Sequence, residues 1–146
     1  MNNPNKVYFN CDSNDCIPQR KTEGSAGFDL VSRVSTTLQP FQPTKIDTGT
    51  RLEMNNNYFS MVTGRSSLAL KGFHVFPGTI DPDFRGNIQV IGTFYPISQG
   101  DTFSISRNDR IAQLLFYNKA NVELEFKENL SETNRGTGGF GSTGIN

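Results

Sequence analysis

The 146-residue sequence predicts an all-β fold, a sandwich, jelly roll or small barrel with one short helix. Several short runs alternate apolar and polar residues with period two, turn-forming residues separate them at close spacing, and only one stretch carries the start and stop signals of a helix. Taken in chain order, Tyr58-Phe59-Ser60-Met61-Val62 reads as the first clear strand, following the turn signal Asn55-Asn56-Asn57. Ser66 or Ser67 is placed to cap a short helix through Leu68, Ala69, Leu70 and Lys71, which Gly72 ends. Ile88 and Val90 alternate with Gln89, and Ile91 then breaks the pattern towards a fully buried strand. Phe103-Ser104-Ile105-Ser106 alternates, Ile111 to Phe116 is an apolar run interrupted by Gln113, and Val122-Glu123-Leu124-Glu125-Phe126 alternates again. Gln39-Pro40, Gln42-Pro43, Phe76-Pro77-Gly78, Gln99-Gly100 and Arg107-Asn108-Asp109 punctuate the runs.

Length and charge limit the function classes. A chain of this size forms one domain that buries roughly two-thirds of its unfolded surface. A β-rich domain over residues 1–130 is followed by a flexible glycine-rich arm over residues 131–146. With 14 basic and 14 acidic residues the formal net charge is zero, which removes the usual electrostatic drive for binding a nucleic acid polymer. No apolar run approaches membrane-spanning length and no signal segment is recognised, so the expectation is a soluble intracellular protein, cytoplasmic or nuclear, without a membrane partner. Cys11 and Cys16 make no disulfide framework, and His74 as the only histidine leaves a zinc site short of ligands. Between Phe73 and Val75, His74 reads as a structural residue.

The arm Arg135-Gly136-Thr137-Gly138-Gly139-Phe140-Gly141-Ser142-Thr143-Gly144 admits two readings. It is a disordered linker, or a flap whose arginine and hydroxyls meet phosphate oxygens while Phe140 covers a base. Elsewhere, Asp81 occupies a tight turn, Gly78-Thr79-Ile80-Asp81-Pro82-Asp83-Phe84-Arg85-Gly86, stiffened by Pro82. It is either a hairpin residue or an acid able to orient a water. Asp29, between Phe28 and Leu30, is either solvated surface or a hard ligand for magnesium near phosphates. A half-buried Gln113 should be hydrogen-bonded. Ser66 and Ser67, after Arg65, form either a capped surface turn or a phosphate site.

These segments resemble, in order, the five motifs of the trimeric deoxyuridine triphosphate nucleotidohydrolases, the dUTPases. They are Ala26-Gly27-Phe28-Asp29-Leu30, Gly64-Arg65-Ser66-Ser67-Leu68-Ala69, the Gly78–Gly86 turn, Asp109-Arg110-Ile111-Ala112-Gln113-Leu114 and the arm from Arg135 to Gly144. Together they span most of the chain. The resemblance implies a β-rich jelly-roll subunit of the β-clip type, assembled as a homotrimer with active sites shared between subunits. It implies Mg²⁺-dependent hydrolysis of dUTP to dUMP and pyrophosphate by water attack on the α-phosphorus. Asp29 would hold the hydrated Mg²⁺, Asp81 would bind the sugar 3′-hydroxyl and activate the water, and Arg65, Ser66, Ser67 and Gln113 would meet the phosphates. Gly78, Thr79, Ile80, Asn87 and Ile88 would form the uracil slot, largely through backbone amides, which reject cytosine because its donors and acceptors are exchanged. Arg135, Phe140, Gly141, Ser142 and Thr143 would close over the nucleotide, Phe140 stacking on uracil.

Three positions depart from the usual motif. Phe84 stands where tyrosine is usual; its ring still excludes a 2′-hydroxyl, and a lost hydroxyl hydrogen bond is worth about 1 kcal/mol. Phe28 also replaces a common tyrosine, and Asn108 replaces a frequent glycine, at a position asparagine tolerates in the left-handed conformation. A dCTP deaminase would share the fold but needs a catalytic glutamate, and no glutamate occurs between Gly72 and Asp101. A non-catalytic dUTP-binding protein of the same fold is the other alternative, against which the intact Asp29 and Asp81 weigh.

Overall fold

A computed structural model describes residues 3–145, so residues 1, 2 and 146 of the expected domain and arm lie outside the described part. Among the described residues eleven strands and little helix occur in chain order: β1 (Tyr8–Cys11), β2 (Phe28–Val31), β3 (Thr36–Leu38), β4 (Thr44–Asp47), β5 (Thr50–Glu53), β6 (Tyr58–Thr63), α1 (Ser66–Ala69), β7 (Phe73–Val75), β8 (Gly78–Ile80), β9 (Gln89–Phe94), β10 (Phe103–Ile105) and β11 (Arg110–Asn118). A 3-10 turn at Asn14–Cys16 follows β1. The largest sheet has the order β2-β11-β6-β8; a second has β4-β9-β7; and β1-β5 and β10-β3 form two-stranded ribbons. Every pairing of these strands is antiparallel.

The core lies between these sheets and is built by alternation. In β6, Ser60 and Val62 point inward while their neighbours are only partly covered. Leu30, Leu38, Ile46, Phe73, Ile88, Val90, Ile111 and Leu114 join them with almost no exposure, and the Phe73 and Phe103 rings stack 5.2 Å apart. Burying one such side chain contributes roughly 1.5–3 kcal/mol. In β11 the register with β2 shifts between Arg110 and Ala112, so Ile111 and Ala112 are both buried. A bulge of this kind re-aims the residues that follow it, and it sets Gln113 opposite Asp29 on one side and Thr63 on the other.

Three local expectations need correction. Ile91 is 46% exposed, because β9 keeps its alternation there, beside Lys45 of β4, and is covered on both faces only from Gly92 onward. Val122–Phe126 is not a strand: β11 ends at Asn118, and Val122, Leu124 and Phe126 are 74%, 95% and 90% exposed. An amphipathic pattern records which face wants cover, but a strand also needs a neighbouring backbone, and none pairs with this segment among the described residues. In α1, Arg65 rather than a serine is the N-cap, so Ser66 and Ser67 are the first helical residues and their exposed hydroxyls cap nothing. Gly72 does end this turn, in the left-handed conformation (φ 93°), where its carbonyl accepts from Tyr95 N–H at 2.8 Å. Asn108 likewise adopts φ 73°. Cys11 and Cys16 are free thiols, and burial, followed by the neighbouring Cys16, pushes the Cys11 thiol pKa up. His74 meets Phe76 and Tyr95 edge-on at the surface.

Candidate active site

A small cleft of about 190 Å³ opens where β2, β11 and the end of β6 meet α1. Lys21, Ser25, Gly27, Asp29, Arg65, Ser66, Ser67 and Gln113 line it. The sheet order explains the gathering. β11 lies between β2 and β6, so residues from three distant sequence segments become neighbours across two ladders. Asp29 sits in the middle with its side chain only 19% exposed, which corrects the solvated-surface reading. Arg65 Nε lies 3.7 Å from one of its oxygens and Arg110 Nη1 3.5 Å from the other. Arg65 also donates from Nη1 to the Arg110 carbonyl at 2.7 Å, which fixes the guanidinium against the rim. Gln113 donates from Nε2 to Gly64 O at 3.1 Å, the hydrogen bond expected of it. Its Oε1 then lies where a side chain on residue 27 would go: a Cβ on buried Gly27 would come within 2.8 Å of it.

The hairpin forms a second group. Asp81 is exposed and lines a separate recess of about 670 Å³ with Asn56, Asn57, Pro82, Asp83, Lys119 and Asn121. The turn is held by Phe84 N–H to Asp81 O at 3.1 Å and by Arg85 Nη1 to Pro82 O at 2.7 Å. The Phe84 ring folds back over Gly86, where a Cβ would meet it at 2.6 Å. β8, which carries Gly78, Thr79 and Ile80, is the last strand of its sheet and pairs only with β6, leaving one backbone edge open. Ile88, also expected in the uracil slot, is fully buried. Its N–H donates to Thr50 O at 2.8 Å, and its carbonyl accepts from Thr48 N–H and hydroxyl at 3.2 and 2.7 Å. Its peptide groups thus have partners within the fold. Asn87 beside it holds Asp47 weakly through Nδ2 at 3.4 Å, while its buried Oδ1 has no partner.

The arm joins neither group. Arg135 donates to Gly138 O at 2.9 Å, and Gly138, Ser142 and Gly144 N–H groups close successive tight turns. Phe140, Gly141, Ser142 and Thr143 are exposed. The phosphate-type cleft and the Asp81 recess share no lining residue, and Arg135 to Thr143 line neither. Sequence reasoning assigned no role to Lys21, Ser25 or Arg110; Arg110 stood inside the fourth motif, whereas the other two carried no signal beyond residue type.

The family model for dUTPase matches residues 14–144. The chain belongs to the dUTPase family. The deoxyuridine 5′-triphosphate nucleotidohydrolase of vaccinia virus (strain Copenhagen) is 41% identical over 129 residues, 88% of this chain and 85% of that protein. Among solved structures, a tyrosine-to-phenylalanine mutant of the Staphylococcus bacteriophage 80alpha dUTPase with dUpNHpp superposes with a TM-score of 0.86 at 25% identity, over 97% of this chain and 99% of that one. A mutant dUTPase from phage phi11 of S. aureus, whose structure concerns the coordination of a structural Mg(II) ion, has a TM-score of 0.79 at 22% identity, over 88% and 100% of the two chains. As a dUTPase, the protein has its first, second and fourth motifs in one cleft and its third in another.

Gly27 supplies a direct test of the cleft. In Gly27→Ala the new methyl group must displace the Gln113 carboxamide, so kcat/KM for the family's substrate should drop about tenfold, roughly 1.4 kcal/mol. Circular dichroism and thermal melting should stay close to wild type. An unchanged kcat/KM would show that the Gln113 position does not matter.

Proposed function

We propose that this dUTPase hydrolyses dUTP to dUMP and pyrophosphate by attack of water on the α-phosphorus. The observation that carries the reading is the cleft itself. Three serine hydroxyls, an ammonium, a guanidinium and a carboxamide surround a single carboxylate in a chain of this family. Such donors suit phosphate oxygens, and a lone carboxylate suits a hydrated Mg²⁺ that completes its shell with waters and substrate phosphates. Among the described residues no group of three or more His, Cys, Asp and Glu side chains gathers as a metal cage, so Asp29 is the residue that would hold the ion, through water. When bound, Mg²⁺ neutralises charge on the phosphate oxygens.

The chain's own groups divide the remaining work. Arg65, Ser66, Ser67 and Gln113 bind and align the phosphate chain, converting the attack into a positioned, in-line event. Asp81 holds the sugar 3′-hydroxyl and takes a proton from the attacking water. The P–O bond to the β-phosphate breaks as the new bond to water oxygen forms, and pyrophosphate leaves with the electron pair. The open edge of β8 at Gly78–Ile80, with Asn87, reads the uracil edge, and the Phe84 ring excludes a 2′-hydroxyl. Arg135, Phe140, Gly141, Ser142 and Thr143 close over the nucleotide and exclude bulk water.

Neither cleft is complete alone, which supports a homotrimer in which each site draws the phosphate cleft, the hairpin and the arm from different copies. The exposed, strand-patterned Val122, Leu124 and Phe126 support association as well.

Pyrophosphate release should be fast from dUTP and slower from dCTP, dTTP and UTP by at least about two orders of magnitude. Negligible turnover of dUTP beside turnover of another nucleotide refutes the reading. Asp81→Asn should bind dUTP and lose most of kcat, and Asp29→Ala should also be nearly inactive. Refolding these two variants together should restore up to about a quarter of wild-type activity if each site takes the two residues from different copies. No recovery means that one copy supplies both. Truncation after Leu130 should leave a folded β domain with kcat reduced at least about a hundredfold; normal turnover by the truncated chain would assign the arm no part in the reaction.

A further inference from the structure

The phosphate cleft contains a cation that lies outside all five motifs. Lys21 lines it beside Ser25, Asp29 and Ser66. Its backbone is held on both sides. Before it, Gln19 O accepts the Asp29 N–H at 2.8 Å, and the Arg20 guanidinium lies 4.5 Å over the Phe28 ring. After it, Thr22 and Ser25 close a tight turn: Thr22 N–H donates to Ser25 Oγ at 3.2 Å, Ser25 N–H to Thr22 O at 3.1 Å, and the two hydroxyls meet at 2.9 Å. A short loop anchored at both ends presents an exposed lysine side chain to the cleft.

The charges in the cleft distinguish this lysine from its neighbours. Arg65 and Arg110 both face the Asp29 carboxylate, at 3.7 and 3.5 Å. Lys21 forms no ion pair among the described residues. In the free protein it is therefore the cleft-lining cation whose charge no carboxylate offsets. An ammonium on a flexible stem acts as a point charge and needs no fixed approach angle, which suits a phosphate chain entering an open cleft.

We propose that Lys21 is a further substrate-binding residue, whose ammonium contacts the phosphate chain that enters this cleft. The inference rests on the reading that the cleft takes the nucleotide's phosphates. It adds a contact from the loop preceding β2, and it makes the first motif's approach segment part of the binding site rather than a connector.

Inorganic pyrophosphate is the direct probe, because its binding does not require turnover. Calorimetry on the full-length protein with Mg²⁺ should show Lys21→Ala weakening pyrophosphate about five- to tenfold, with Lys21→Arg within about twofold of wild type. KM for dUTP should rise by a similar factor in Lys21→Ala while kcat changes by less than about twofold, the signature of lost ground-state binding. The salt dependence of KM should also flatten in that variant. A purely structural role would not be rescued by charge alone, so equal losses in Lys21→Ala and Lys21→Arg overturn the proposal. Unchanged pyrophosphate affinity in Lys21→Ala overturns it too, as does a wild-type protein that does not bind pyrophosphate. Lys21-dependent pyrophosphate binding in a protein that fails to hydrolyse dUTP would uphold this contact and refute the proposed reaction.

Discussion

The register of β11 between β2 and β6 is the constraint on which the phosphate cleft depends. Gln113 faces Asp29 across one ladder and Thr63 across the other, and Thr63 leads directly into Gly64, Arg65 and the serines of α1. A one-residue slip in a strand turns every side chain to the opposite face. Such a slip would turn Gln113 into the core and pull Asp29 away from Arg65. The register is secured from the apolar side: Leu30, Val62, Ile111, Ala112 and Leu114 are all buried, and the irregularity at Ile111 lets two successive residues enter the core before Gln113 turns out. Core packing and polar geometry are thus one arrangement read from opposite faces.

That arrangement places a carboxylate among cations before any ligand arrives. Asp29 is partly buried, and leaving such a charge unpaired would be costly. Arg65 and Arg110 offset it. In the proposed reaction the same guanidiniums would turn to phosphate and Asp29 would meet a hydrated metal ion in their place. The cleft thus holds two guanidiniums within 3.7 Å of a carboxylate on a fixed sheet edge. Gly27 and Gly72 serve the same end sterically, one leaving room for the Gln113 head group and the other turning the chain under Tyr95.

The sequence made some of this legible and concealed the rest for physical reasons. Six-residue β6 and nine-residue β11 have enough positions to show an inside and an outside, and both were readable. β3, β7 and β8, three residues each, have too few, although the equally short β10 is legible from its alternation. Val122 to Phe126 shows the opposite failure: period two reports a face seeking cover, but says nothing of which backbone supplies the pairing. The motifs revealed Asp29, Arg65, Ser66 and Gln113 as candidates, yet their meeting depends on strand order, which no local pattern encodes. Lys21 and Ser25 were invisible because a lysine and a serine in a polar loop look like any solvated surface. The partners of the Ile88 peptide groups, Thr48 and Thr50, are distant in sequence and leave no local signal.

The arm fits this division of labour. Fixing a residue's backbone costs about 1–2 kcal/mol, more for glycine, and the segment from Arg135 to Gly144 offers the core almost nothing in return, since Phe140 is fully exposed. In the proposed reaction a ligand would supply the missing contacts: a base for the ring, phosphates for the arginine and hydroxyls. If the arm closes over the nucleotide as proposed, its place outside the β sheets spares the fold an unfolding step at every turnover.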